Sequence, residues 1–196
     1  MKIVLQCVLA SLLFCTASVG QKAASTASPA LPPLSVTISL PQTVVKAGSP
    51  VNLKITLANT SNRDLVHYFG GPLGAGGRGE NVHVTDAAGD PVPETPEGAK
   101  SHLWSPNNGY RGGSAFGGRS PWKAGKTVEW EVDISKDYDL SKPGEYKVQV
   151  ISHESWTVVN DESSMKETLD PAAVIPESAV TREVLKSNVI TLTVTP

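Results

Sequence analysis

From residue 34 to the C-terminus, apolar and polar positions alternate with a period of two in five separate stretches. Leu34, Val36, Ile38 and Leu40 are interleaved with Ser35, Thr37 and Ser39, and Val51, Leu53, Ile55 and Leu57 with Asn52, Lys54 and Thr56. The pattern returns in Val128, Trp130, Val132 and Ile134 around Glu129, Glu131 and Asp133. It returns again in Tyr146, Val148 and Val150, and in Ile190, Leu192 and Val194. A period of two sends alternate side chains to opposite faces of a pleated strand, so each stretch predicts a strand with one buried and one wet face. Two weaker strands are expected at 65–69 and 82–85, and helical spacing persists nowhere at length. Turn chemistry fills the breaks: Gly48-Ser49-Pro50, Asn59-Thr60-Ser61-Asn62, Gly89-Asp90-Pro91 and Lys142-Pro143-Gly144. About seven strands with such turns predict an all-β fold, an antiparallel β-sandwich. Trp130 is expected to point between the sheets, because Glu129 and Glu131 have to face water. Residues 155–180 carry Pro171 and Pro176 and no sustained period. They predict a loop with a helical turn near 165–169 instead of an eighth core strand.

Ahead of these strands the pattern changes. Met1 and Lys2 give a basic start, residues 3–14 are mostly apolar, and small residues follow through Ala17, Ser18 and Gly20. This order describes a secretory signal peptide, expected to span 1–20 with cleavage after Gly20. The apolar run falls short of the roughly 20 residues of a mature membrane span. A lipidated Cys15 is opposed by Phe14, which stands where a lipoprotein signal needs a small residue. Residues 21–33, rich in Ala, Ser, Thr and Pro, predict a flexible spacer, and 34–196 the folded domain. Both cysteines, Cys7 and Cys15, lie in the signal, so the mature domain has to be held by its core and not by disulfides. The expected location is secreted or periplasmic. The formal net charge of −2, made more negative when Lys2 leaves with the signal, suggests neither nucleic acid nor an anionic membrane as partner.

The run Ser141-Lys142-Pro143-Gly144-Glu145-Tyr146-Lys147-Val148 resembles the approach to strand F of immunoglobulin-like domains. The resemblance implies that Tyr146 returns its hydroxyl to the backbone as a tyrosine corner. Val148 stands where antibody domains carry a cysteine, and 65–69 lacks their tryptophan, so the likeness is to the looser bacterial class of immunoglobulin-like sandwiches with long Gly-rich loops. The order Leu57-Ala58-Asn59-Thr60-Ser61, Val82-His83-Val84-Thr85-Asp86 with Gly89, then Gly144-Glu145-Tyr146, is also similar to the BsuPI-type proteinase-inhibitor domain. That second resemblance implies a protease-binding role and carries over no functional residue.

Signatures of chemistry are sparse. The four histidines, His67, His83, His102 and His153, show no zinc-site spacing. The serines lie in no Gly-x-Ser-x-Gly elbow. Asp133, Asp137 and Asp139 form an acidic turn without the ligand loop of a calcium site. Asn59-Thr60-Ser61 is a glycosylation sequon that also serves as a plain turn. No catalytic residue, metal or cofactor is expected.

Two segments stand apart. Residues 70–79 form one Gly-rich stretch containing Arg78. The other runs from Trp104 through Asn107, Asn108, Gly109, Tyr110, Arg111 and Phe116 to Arg119 and Trp122. Glycines let backbone N–H groups converge, while flat rings and guanidinium groups suit carbohydrate or peptide surfaces. The alternative is that the rings fold back over the sandwich as a satellite cluster. The expectation is a non-catalytic binding module that recognises a protein or carbohydrate partner through loops at one end of the sandwich. Its expected contacts are Arg78, Trp104, Tyr110, Arg111 and Arg119. The alternative is a proteinase inhibitor of the BsuPI-like kind, which would present an exposed rigid loop.

Overall fold

A computed structural model describes residues 33–69, 80–101, 104–105, 109–110 and 118–196. The expected signal (1–20) and nearly all of the expected spacer (21–33) lie outside these residues. The fold is an all-β sandwich. One sheet has the order β1 (Leu34–Ser39), β3 (Asn52–Asn59), β9 (Thr127–Asp133). The other is built on β10 (Gly144–Val158), with β12 (Ile190–Thr195) and β2 (Val44–Lys46) to one side and β4 (Leu65–Phe69) and β8 (Gly118–Trp122) to the other. β5 (Glu80–Asp86) and β11 (Thr181–Lys186) also pair with β10. A short ribbon, β6 (Trp104–Ser105) with β7 (Gly109–Tyr110), a one-turn helix α1 (Gly98–Ser101), helix α2 (Glu162–Leu169) and a 3-10 turn at Glu177–Ala179 complete the described elements.

The period-two stretches supply the core. Val36 and Ile38 of β1, Leu53, Ile55 and Leu57 of β3, Val148 and Val150 of β10, and Leu192 and Val194 of β12 are all buried in one cluster with Ile134 and Trp156. Trp130 has the expected register and packs against this cluster, but it is only half-buried. Among the described residues β9 pairs with β3 alone, so its inward side chains have a neighbouring strand on one side. Tyr146 forms the expected corner: its hydroxyl donates to Lys142 O at 2.7 Å. Gly89 and Gly125, with φ of 90° and 73°, take the left-handed conformation their turns require and side-chain-bearing residues avoid.

The structure differs from the sequence reading in the length of β10 and in five further strands, β2, β8, β11 and the two of the β6–β7 ribbon. The strand expected at 146–150 runs fifteen residues, because β11 pairs with it as far as Trp156 and β4 as far as Val158. β2, β8 and β11 are too short or too polar to show an alternation. Beyond Val158 the 155–180 segment has no strand, as expected, but α2 is longer than the expected turn. A capping box starts it: Asp161 Oδ1 accepts from Ser164 N at 2.7 Å, and Asp161 N donates back to Ser164 Oγ at 3.1 Å. α2 lies on the outer face of the larger sheet, where Val66, Tyr68, Val159 and Met165 form a second apolar cluster flanked by Leu169, Ile175 and Val180.

The acidic turn after β9 holds the smaller sheet together. Asp133 Oδ1 accepts from Val51 N at 3.1 Å, from Ser135 N at 3.2 Å and from Ser135 Oγ at 2.6 Å. Burial works to raise the Asp133 pKa, but these hydrogen bonds outweigh it and hold the carboxyl below its ordinary range. A depressed carboxyl contributes stability above its unfolded pKa of about 3.9 and loses it as pH falls through the folded value. The melting temperature is therefore expected to drop as pH is lowered below about 4, and Asp133→Asn, which keeps the acceptor but not the charge, to flatten that drop. A second expectation separates the two tryptophans. Trp156→Ala, at a fully buried site, should cost roughly 3–5 kcal/mol in denaturant unfolding, and Trp130→Ala distinctly less.

Candidate functional site

β4 and β5 lie end to end along one edge of β10. Leu65 to Tyr68 face Val158 to Ser155, and Glu80 to Asp86 face Ser152 to Tyr146. The described residues on either side of 70–79 therefore stand beside His153 and Glu154. On the other edge of β4, Gly118, the residue that follows 102–117, stands opposite Phe69. The flanks of 70–79 thus lie midway along β10, and Gly118 of β8, the C-terminal flank of the second segment, stands next to them across β4. The loops are expected at one end of the sandwich, and for 70–79 and 155–180 the strand register corrects this. β4 runs antiparallel to β10, so β10 departs at Val158 beside the first residue of β4, whereas 70–79 departs from the last.

A buried polar cluster lies close by. On the inward face of β10, Tyr146, Val148 and Val150 are followed by Ser152, Glu154 and Trp156, all buried. Glu154 is 4% exposed. One of its carboxylate oxygens accepts from Ser152 Oγ and the other is paired with His67 Nε2. The His67 ring packs at 5.0 Å on Trp122 of β8. Desolvating a carboxylate is costly unless its lone pairs are met, and here both oxygens are. The pair joins β4 to β10 through side chains between the β4 and β5 pairings on that edge. Ser152 donates to the carboxylate and not to the imidazole, so the order is not that of a serine–histidine–acid relay.

The expected contacts are distributed as follows. Arg78 and Arg111 lie outside the described residues. Trp104 and Tyr110 stand directly opposite one another in the β6–β7 backbone ribbon. Arg119 lies on β8 opposite Tyr68, one residue out of phase with His67 and hence on the outer face of the sheet. Its guanidinium sits 5.9 Å from the centre of the Tyr68 ring. Nη1 donates to Thr168 O at 3.0 Å and Asp170 O at 2.6 Å, and Nη2 to Ala173 O at 2.9 Å. Arg119 thus closes the C-terminal end of α2 and fastens the chain that follows it.

Other polar residues serve the framework. Asn59 of the sequon is 1% exposed. Its Nδ2 donates to Arg63 O, Trp122 O and Lys123 O at 2.8–3.1 Å, and its Oδ1 accepts from Ser61 N and Oγ. In the folded chain its amide is committed inside the protein. Asp139 Oδ1 accepts from Ser141 N and Oγ, which caps the turn before β10.

The Ser152–Glu154–His67 cluster was missed in the sequence, although it left a signal. Continuing the alternation of Tyr146, Val148 and Val150 by two steps places Ser152 and Glu154 on the buried face before Trp156 restores an apolar side chain. A carboxylate at an inward strand position demands a partner.

No protein-family model matches the chain, and no curated protein does. Among solved structures, the complex of zinc 2-glycoprotein with prolactin inducible protein from human seminal plasma is similar over 82% of this chain and 94% of the matched one, at 11% identity and a TM-score of 0.28. AvmM, which catalyses macrocyclization in alchivemycin A biosynthesis, is similar over 84% and 90%, at 8% identity and a TM-score of 0.29. At such scores neither likeness bears on function.

The cluster makes its own prediction. His67→Ala should destabilise by about 1–3 kcal/mol or more, because it strips one oxygen of a buried carboxylate of its partner. His67→Leu combined with Glu154→Leu should cost less than the sum of the two single changes. A double-mutant cycle on unfolding free energies measures the coupling, and additivity would show that the pair contributes nothing.

Proposed function

We propose that the protein acts outside the cytoplasm as a non-catalytic binding module, recognising a protein or carbohydrate partner through its two Gly-rich segments. The observation that supports this reading is that Phe69, after which the first segment begins, stands opposite Gly118, before which the second ends, close to the Glu154–His67 pair that joins β4 to β10. Binding residues concentrate on loops held by a rigid scaffold. Here the framework elements are hydrogen-bonded up to the point where the Gly-rich chain leaves. Trp104 and Tyr110, brought opposite one another on the β6–β7 ribbon, together with Arg78 and Arg111, are the proposed contacts. In this reading Arg119 supports and does not touch the partner.

The test replaces Trp104, Tyr110 and Arg111 together by alanine. Screened on glycan arrays and against purified extracellular proteins, the wild-type protein is expected to bind one class and the triple variant to lose that binding with little change in melting temperature. A collapse of the melting temperature would make those rings part of the core, and retained binding would place the recognition surface elsewhere.

A second reading, inhibition of a proteinase as the BsuPI-like resemblance implies, is favoured by a different observation. The chain between α2 and β11 is exposed and yet held by Arg119. The two readings use different surfaces, and a proteinase panel distinguishes them.

A further inference from the structure

Helix α2 lies over β4 and β8 on the outer face of the larger sheet. Along β10 from Glu145 to His153 its neighbours are β12, β11 and β5, and there the same face is open. No described side chain that points outward from these strands, or from β2, is buried. Alternation fixes which ones these are, since Tyr146, Val148 and Val150 point inward. Lys147 stands opposite Thr191, Lys186 opposite Ile151, and Lys46 opposite Thr195. All three lysines are exposed, and no side-chain ammonium of the three forms an ion pair or hydrogen bond with another described residue. Elsewhere Lys54, Lys123 and Arg182 are engaged by Glu129, Asp64 and Glu177. On the open face Glu145 is the one acid that the alternation turns outward among the described residues. The opposite face of the sandwich carries Glu129 and Glu131, and Lys54 is paired with the first. A chain of net charge −2 thus turns unmatched cations to one side. At about 3.3 Å per residue and about 4.8 Å per strand, Lys186 lies roughly 14 Å from Lys147 in one direction and Lys46 roughly 16 Å in the other. Around them Gln149, Thr191 and His153 offer amide, hydroxyl and imidazole groups.

We infer that this open face binds a linear polysaccharide carrying carboxylates at intervals. The surface is separate from the Gly-rich segments, and its ligand is held whatever those segments bind. Three cations spread along a sheet face suit an extended chain with spaced charges, not a compact anion. Ammonium groups are point charges on flexible stems, fitted to separated carboxylates, whereas bidentate recognition of phosphate calls for the arginine fork. The hydroxyl and amide groups around the lysines can exchange hydrogen bonds with sugar hydroxyls. Single-stranded nucleic acid is a poorer match, because no Phe, Tyr or Trp is among the described residues that point outward here for bases to stack on. An anionic membrane calls for a denser cluster, of about four to eight basic residues. Exposed charge pairs contribute little singly and are screened by salt, so binding is assembled from several contacts and weakens as ionic strength rises.

The test is affinity electrophoresis of the purified protein through gels containing hyaluronate, which carries a carboxylate on alternate sugars. Wild type is expected to be retarded at low ionic strength and released as salt is raised. Lys46→Gln, Lys147→Gln and Lys186→Gln together are expected to weaken binding roughly 10-fold or more. Lys100→Gln, Lys136→Gln and Lys166→Gln together remove the same charge from other surfaces and are expected to leave it unchanged. All six side chains are exposed, so the melting temperature serves as the folding control. The alanine variant of Trp104, Tyr110 and Arg111 is expected to keep hyaluronate binding, which separates this face from the proposed loop contacts. If that variant loses it, the polysaccharide sits on the loops and the open face is not its site. Equal weakening by the two lysine triples would show that net charge alone is at work and overturn the assignment. An absence of retardation by hyaluronate overturns it too, as does firmer retention by double-stranded DNA or by vesicles containing phosphatidylserine.

Discussion

The backbone of β10 is the constraint on which the described structure depends. A strand of fifteen residues is about 50 Å long, and buried N–H and C=O groups along both of its edges require partners. Four strands supply them, two to an edge: β12 and β11 on one side, β5 and β4 on the other. The seam between β11 and β12 shows how closely this is met. There Ser187 N donates to Val150 O at 2.9 Å, while Ser187 Oγ accepts from Val150 N at 2.9 Å, one residue serving both backbone groups.

The length of β10 also dictates what covers the larger sheet. The strands of the smaller sheet are six to eight residues long. The half of β10 that pairs with β4 is dressed on its outer face by α2 and the chain around it. β4 accordingly has apolar residues on both faces, Leu65 toward the main core and Val66 and Tyr68 toward the second cluster. Its inward position at His67 is the exception, and there a carboxylate from β10 supplies the partner. The outer-face cluster in turn gives Arg119 a floor from which its guanidinium reaches the carbonyls beyond α2.

Much of this was legible in the chain. The alternations at 34–40, 51–57, 128–134 and 190–194 name strands whose inward residues are the observed core, and Lys142-Pro143-Gly144 ahead of Tyr146 marks the corner that forms. Alternation is a local signal, so it reports the face of a strand and not its neighbours. It did not reveal that 65–69 and 80–86 share one edge, which is a property of pairing with residues about sixty to ninety positions away. β2, at three residues, and β8, with Pro121 within it, lack the span or composition to show a period. For the site, the glycines and arginines were visible as types, but the role of Arg119 follows from the face it occupies, which its own neighbours in sequence do not specify. Glu154 was hidden because the strand was ended at Val150, before its inward series turned polar.

The break between β4 and β5 has a consequence for how the chain tolerates change. Each strand is aligned on β10 by its own hydrogen bonds, so the register on either side does not depend on the number of residues crossing from Phe69 to Glu80. Lengthening such a connection adds only closure entropy, about 0.6 kcal/mol for each doubling. A point in the middle of a sheet, ordinarily the worst place for an insertion, has thereby become permissive, open to new sequence at little thermodynamic risk to the scaffold.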